Sequence, residues 1–168
     1  MYKSLFPSDD YDSAYDIDYY SYYKKGYRGI LFDVDNTLVE HGEPVTIRAI
    51  ELFGRLKETG FKTCIISNNK EYRVKPLAEA LESDYVYKAG KPSARGYLEG
   101  MEHMGTDART TLFVGDQIFT DILGANRAGI YSILVKPVAK HEEIQIVLKR
   151  RLEYFVLKNY YKLKKKTV

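Results

Sequence analysis

The chain has 168 residues, 45% hydrophobic and 29% charged, a balance that suits one soluble globular domain with a sizeable core. A net charge of +3 is too small to argue for nucleic acid by itself, and no apolar run reaches the roughly 18 residues of a membrane span. The single cysteine, Cys64, excludes an internal disulfide and a cysteine-based zinc cluster, and His41, His103 and His141 are scattered without metal-ligand spacing.

The first 18 residues carry Asp9, Asp10, Asp12, Asp16 and Asp18 and no apolar stretch, unlike a secretory signal, so the expected location is cytoplasmic. Residues 1–25, acidic and tyrosine-rich, read as a loosely structured extension ahead of one domain over 26–168. A compact apolar stretch at 29–34 ends in carboxylates, as a buried strand entering a loop does. A helix is expected over 46–58, with Ile47, Ile50, Phe53 and Leu56 on one face, Thr46 capping its start and Gly60 ending it. Residues 61–66 form a second strand that buries Cys64, and 72–81 a short helix disturbed by Pro76. A short strand at 85–87 and a helix at 92–104 come next, the helix with Ala94, Tyr97, Leu98 and Met101 at helical spacing. A fourth strand at 111–114, a helix at 118–128 ended by Gly129, and a fifth strand at 131–135 follow. From His141 a long helix places Ile144, Leu148, Leu152, Phe155 and Val156 along one stripe. This alternation predicts an α/β fold with a mostly parallel, five-stranded sheet and helices on both faces.

In such a sheet, ligands sit beyond the C-terminal strand ends. Polar residues gather there. Asp33-Val34-Asp35-Asn36-Thr37 follows the first strand, Ser67-Asn68-Asn69 the second, Lys91 the third and Gly115-Asp116-Gln117 the fourth. Each segment alone is an ordinary turn, loop lysine or helix cap, but four together at strand ends make a set suited to phosphoryl transfer. A magnesium ion held by Asp33 and Asp116, helped by the backbone carbonyl of Asp35, would screen an anionic phosphate ester from an anionic nucleophile. Asp33 would attack, forming an aspartyl-phosphate, and Asp35 would pass a proton to the leaving oxygen and later take one from water. Lys91, Ser67 and N–H groups near Asn36 and Asn68 would hold the phosphoryl oxygens.

Together these segments resemble the four motifs of the haloacid dehalogenase-like hydrolase superfamily: Asp33-x-Asp35-x-Thr37, Ser67, Lys91, and Gly115-Asp116 through Asp121. The resemblance implies a Rossmann-like core, magnesium on Asp33, Asp35 and Asp116 with Asp121 beside it, and phosphatase or phosphomutase chemistry from the second Asp. Only residues 38–66 and 68–90 separate the first three motifs, and they already supply core elements, so no cap domain fits. An open site suits a bulky substrate: lipid headgroup, polymer or protein. The whole chain is similar to the capless YqeG-type phosphatases of bacteria, themselves similar to mitochondrial phosphatidylglycerophosphate phosphatases, and so implies removal of the terminal phosphate from phosphatidylglycerophosphate. The tail from 149 to 166 holds eight Lys or Arg against Glu153 alone. It suits anionic lipid at the inner face of a membrane, or a solvated face of a helix whose 144–156 stripe packs on the core. Two alternatives stay open: a soluble phosphatase of nucleotides, nucleic-acid ends or phosphoproteins, and a non-catalytic scaffold.

Overall fold

The computed structural model describes residues 2–139 and 144–165, so the expected helix start at His141 and the basic Lys166 lie outside the described residues. Six segments of the described residues are extended: β1 (Asp9–Tyr11), β2 (Gly29–Phe32), β3 (Lys62–Ile66), β4 (Asp84–Val86), β5 (Thr111–Gly115) and β6 (Tyr131–Val135). They form one sheet in the order β1-β6-β5-β2-β3-β4, every pairing parallel. Five strands were expected. The sixth is β1, whose three polar or aromatic residues show no strand alternation and which owes its place to pairing with β6 from Asp9↔Ile133 to Tyr11↔Val135.

Among the described residues, six α-helices accompany the sheet: α1 (Tyr19–Lys24), α2 (Ile47–Thr59), α3 (Glu71–Ala80), α4 (Arg95–Met104), α5 (Leu123–Arg127) and α6 (Ile144–Lys164). Alternate strand residues separate two cores. Ile30, Phe32 and Ile65 face α1, α2 and α3, whereas Leu31, Cys64 and Phe113 face α4 and α5. Both faces of the sheet are thus covered by helices, as a parallel sheet requires. Only α2 and β3 lie between Thr37 and Ser67, and only α3 and β4 between Ser67 and Lys91, so there is no cap domain.

Local signals hold at α2. The Thr46 hydroxyl accepts the Ala49 N–H at 3.2 Å, and Gly60 closes the helix with φ 107°. The buried face differs from the predicted one: Ala49, Leu52, Phe53 and Leu56 are buried, while Ile47 and Ile50 are exposed. α3 runs through Pro76 without a break.

The acidic N-terminal segment is built into the body. Ala14, Ile17, Tyr19 and Tyr22 join the core that contains Ile30 and Phe32. The Tyr15 hydroxyl donates to the Leu38 carbonyl at 2.8 Å, bracing the loop after β2. α6 differs most from its sequence pattern. It packs by Glu153, Val156 and Tyr160, whereas Leu148, Leu152 and Phe155 of the expected packing stripe are 63%, 56% and 65% exposed.

Candidate active site

The strand order reverses direction between β2 and β5, which pair with Phe32 opposite Val114. A reversal of this kind leaves a crevice beyond the C-terminal strand ends, because the connections on its two sides diverge to opposite faces. Asp33 follows β2, and its N–H donates to the Val114 carbonyl at 2.9 Å. Asp116 follows β5, so both aspartates reach the same crevice.

Lys91 joins the two halves. Its buried Nζ donates to Asp33 Oδ1 at 2.6 Å and to Asp121 Oδ1 at 2.7 Å. The Thr37 hydroxyl contacts Asp33 Oδ2 and Asp116 Oδ1, each at 3.2 Å. The backbone N–H groups of Asp116 and Gln117 donate to Asp121 Oδ2 at 3.1 Å each, folding the loop back over its own carboxylate. A side chain at Gly115 could not fit, since a Cβ there would lie 2.7 Å from Asp121 Oδ2. Residues Ile118–Ile122 wind as one π-helical turn into α5, bringing Asp121 inward.

The other predicted residues sit around this cluster in different ways. Asn68 accepts the Lys91 N–H at 2.7 Å and donates to the Lys91 carbonyl at 3.1 Å, so its side chain braces the lysine loop. The Ser67 hydroxyl, nearly buried, accepts the Asn69 N–H at 3.1 Å. Asn36 has φ 64°, gives its N–H to the Val39 carbonyl at 2.7 Å, and keeps a buried Oδ1 with no hydrogen-bond partner among the described residues. The Asp35 carboxylate is turned away from the other acids, accepting from Asn69 Nδ2 at 2.8 Å and Arg73 Nη2 at 2.7 Å.

Besides Arg73, two residues of the site escaped sequence reasoning. Arg150 reaches from α6 to the crevice, where Nη2 pairs with Asp116 Oδ2 and Nη1 donates to the Asp116 carbonyl at 2.6 Å. Glu153, one turn along, accepts from Arg150 Nη1 at 3.1 Å and from the Ile118 N–H at 2.7 Å. The i, i+3 Arg–Glu pair was visible in the sequence, but nothing local distinguished Arg150 from the solvent-facing basic residues beside it.

The electrostatics suit a cation. Asp33, Asp116 and Asp121 are buried, with one carboxylate oxygen from each within 4.8 Å of the others. Burial pushes the Asp33 carboxyl up to about 7 despite the opposing charge of Lys91. Burial and the neighbouring carboxylates of Asp121 and Asp33 raise Asp116 well above the ordinary range, against the pull of Arg150. For Lys91, burial alone would lower the value, but Asp121 and Asp33 outweigh it and hold the ammonium protonated. Two protein cations face three carboxylates, which leaves residual negative charge on an all-oxygen donor set, as a hard divalent cation prefers.

The sequence matches the family of haloacid dehalogenase-like hydrolases over residues 44–129, a span that holds Ser67, Lys91, Asp116 and Asp121 but begins after Asp33. The chain is 40% identical over 135 residues to the probable phosphatase YqeG of Bacillus subtilis, covering 80% of this chain and 78% of that one. It is 34% identical over 153 residues to the chloroplastic/mitochondrial phosphatidylglycerophosphate phosphatase 1 of Arabidopsis thaliana, 82% of this chain but only 42% of that longer protein. Among solved structures, the cobalt-bound deoxy-D-mannose-octulosonate 8-phosphate phosphatase of Haemophilus influenzae superposes with a TM-score of 0.57 at 13% identity, covering 81% of this chain and 90% of that one, a likeness of fold. Motifs, sheet order and relatives agree: the chain belongs to the haloacid dehalogenase-like hydrolases, as an enzyme of the phosphatase type.

Proposed function

We propose that the protein hydrolyses a phosphate monoester carried by an anionic lipid, with phosphatidylglycerophosphate as the substrate, through an aspartyl-phosphate on Asp33. The observation that carries this reading is the convergence of Asp33, Thr37, Lys91, Asp116 and Asp121 on one buried cluster from three separate chain segments. Asp33, Asp116 and Asp121, with the backbone carbonyl of Asp35, would hold magnesium. Such an ion offsets the negative charge of phosphate and nucleophile and orients the phosphoryl oxygens.

An oxygen of Asp33 attacks phosphorus while the bond to the leaving alkoxide breaks, and Asp35 gives that alkoxide its proton. Asp35 then takes a proton from water, whose oxygen displaces phosphate from Asp33 and restores the carboxylate. Lys91 carries the charge that shifts between the phosphoryl oxygens and Asp33. The hydroxyl of Ser67 and the N–H groups beside Asn36 and Asn68 hold those oxygens. Asn69 and Arg73 orient the Asp35 carboxylate until the substrate arrives.

Three features favour the lipid over a soluble ester. A relative of known substrate is named as a phosphatidylglycerophosphate phosphatase. The site lacks a cap that could enclose a small metabolite. The outer face of α6 sets Leu148, Leu152 and Phe155 beside Arg151, Lys158 and Lys162, all exposed, a pattern suited to lying on an anionic membrane. Among the described residues no helix is long and apolar enough to cross one. We place the protein in the cytoplasm, at the inner membrane face.

The test is phosphate release from phosphatidylglycerophosphate in anionic vesicles, set against nucleotides, phosphopeptides and nucleic-acid ends. Asp33→Asn is expected to lower the rate at least about 10³-fold, and Asp35→Asn by roughly 10²–10⁴-fold with substrate binding retained. Faster turnover of a soluble ester than of the vesicle substrate would reject the lipid assignment.

A further inference from the structure

A groove leaves the crevice along α6. Its first part, a cavity of about 410 Å³, begins at Asp116 and Arg150 and runs past Leu134 to Tyr154, Leu157 and Tyr161. The last three residues also line a second cavity of about 510 Å³, bordered by Lys158, Lys162 and Lys165. The two therefore adjoin along α6, a trough with Leu134, Tyr154, Leu157 and Tyr161 in its lining.

Its charges are distributed unequally. Every acid that lines the trough is paired with a cation: Asp12 lies 2.5 Å from Lys136, Asp10 2.7 Å from Lys164, and Asp116 and Glu153 share Arg150. At the distal rim, Lys158, Lys162 and Lys165 enter no ion pair among the described residues. The trough thus offers apolar and aromatic side chains with uncompensated positive charge along its outer edge, complementary to an anionic amphiphile.

Length agrees as well. From Arg150 to Lys165 the helix rises about 22 Å at 1.5 Å per residue. One acyl chain spans half a bilayer's hydrocarbon core, about 15 Å. The remaining length, about 7 Å, lies at the crevice end and suits a polar headgroup.

We propose that this groove seats one acyl chain of the lipid substrate, its headgroup passing Arg150 into the crevice while Lys158 and Lys162, alongside the seated chain, face the anionic membrane surface. This rests on the phosphatase reading above and adds a subsite to it. The chain would leave the bilayer beside α6, so that an uncapped site gains its selectivity from the non-reacting part of the substrate.

The full-length protein should be assayed on dibutanoyl and dioctanoyl phosphatidylglycerophosphate below their micellar concentrations. The groove predicts a kcat/KM at least about tenfold higher for the longer chains, carried mainly by KM. Tyr154→Asp with Lys158→Glu, both exposed and outside the catalytic cluster, should abolish that preference and leave the dibutanoyl rate within about twofold. In parallel, NMR titration of the Leu157 methyls with dioctanoyl phosphatidylglycerol reports seating of the chain without turnover. Shifts at Leu157 that weaken at least about fivefold in the variant support the groove even if no ester is hydrolysed, a result that would overturn only the phosphatase reading. Hydrolysis of both esters with no chain-length preference, or with a preference that survives the double substitution, overturns the groove, as does titration without a Leu157 shift. A dimer of wild-type chains that the substitutions dissociate, with lipid kinetics unchanged, assigns the face to a second copy and likewise overturns it.

Discussion

Lys91 answers two buried carboxylates at once, and Arg150 answers the third. Neither compensation is complete, since three acids crowd within 4.8 Å of one another. The site therefore stores repulsion that a divalent cation would relieve, and binding to the folded state alone raises stability by mass action. Magnesium at about a hundred times its dissociation constant should raise the melting temperature by about 5–10 °C. Asp116→Asn should remove most of that rise, read by thermal unfolding of the two proteins side by side. Arg150→Gln should behave in the opposite sense. It takes a cation from the metal-free cluster, costing about 1–3 kcal/mol, and also removes a competitor for Asp116. The metal-free protein should then melt lower and gain more from magnesium than the wild type.

α6 is an element whose role is divided among its faces. Glu153, Val156 and Tyr160 bind it to the body, and Arg150 and Glu153 close a ring of hydrogen bonds with Asp116 and Ile118. Its far end is tied to β1, where Asp10 accepts from Tyr160 at 3.0 Å, Tyr161 at 3.1 Å and Lys164 at 2.7 Å. Burial opposes ionisation of Asp10, but Lys164 and the two phenols outweigh it and hold the carboxyl below its ordinary value of 3.8. A carboxylate whose folded value is depressed adds stability above its unfolded value and loses it as pH falls through the folded one. Limited proteolysis within α6 should accordingly accelerate as pH drops below 3.8. Asp10→Asn should show a similar acceleration at neutral pH and a flatter response to acid.

Contacts cross the boundary expected between an N-terminal extension and a hydrolase body. β1 covers the edge of β6, and Ala14, Ile17, Tyr19 and Tyr22 share a core with β2. Tyr15 additionally supports the loop that carries Asp35 through its bond to the Leu38 carbonyl. We propose one folding unit across the boundary at residue 25. Deleting residues 2–25 should uncover the β6 edge and part of that core, giving a protein without a cooperative thermal transition that aggregates in size-exclusion chromatography. A soluble fragment with a sharp transition would show that the segment is separable.

The sequence by itself determined the alternating elements of the α/β core, the capping of α2 and the placing of Asp33, Ser67, Lys91 and Asp116 at strand ends. These depend on short-range periodicity and turn chemistry, which neighbouring residues encode directly. The pairing of β1 with β6, the solvent-facing stripe of Leu148, Leu152 and Phe155, and the reach of Arg150 to Asp116 were decided by tertiary structure. β1 is too short and polar to show a strand period, and α6 carries apolar residues on more than one face. In both cases the choice among equivalent local patterns falls to whichever surface the distant chain leaves open, and that surface exists only after the sheet has assembled.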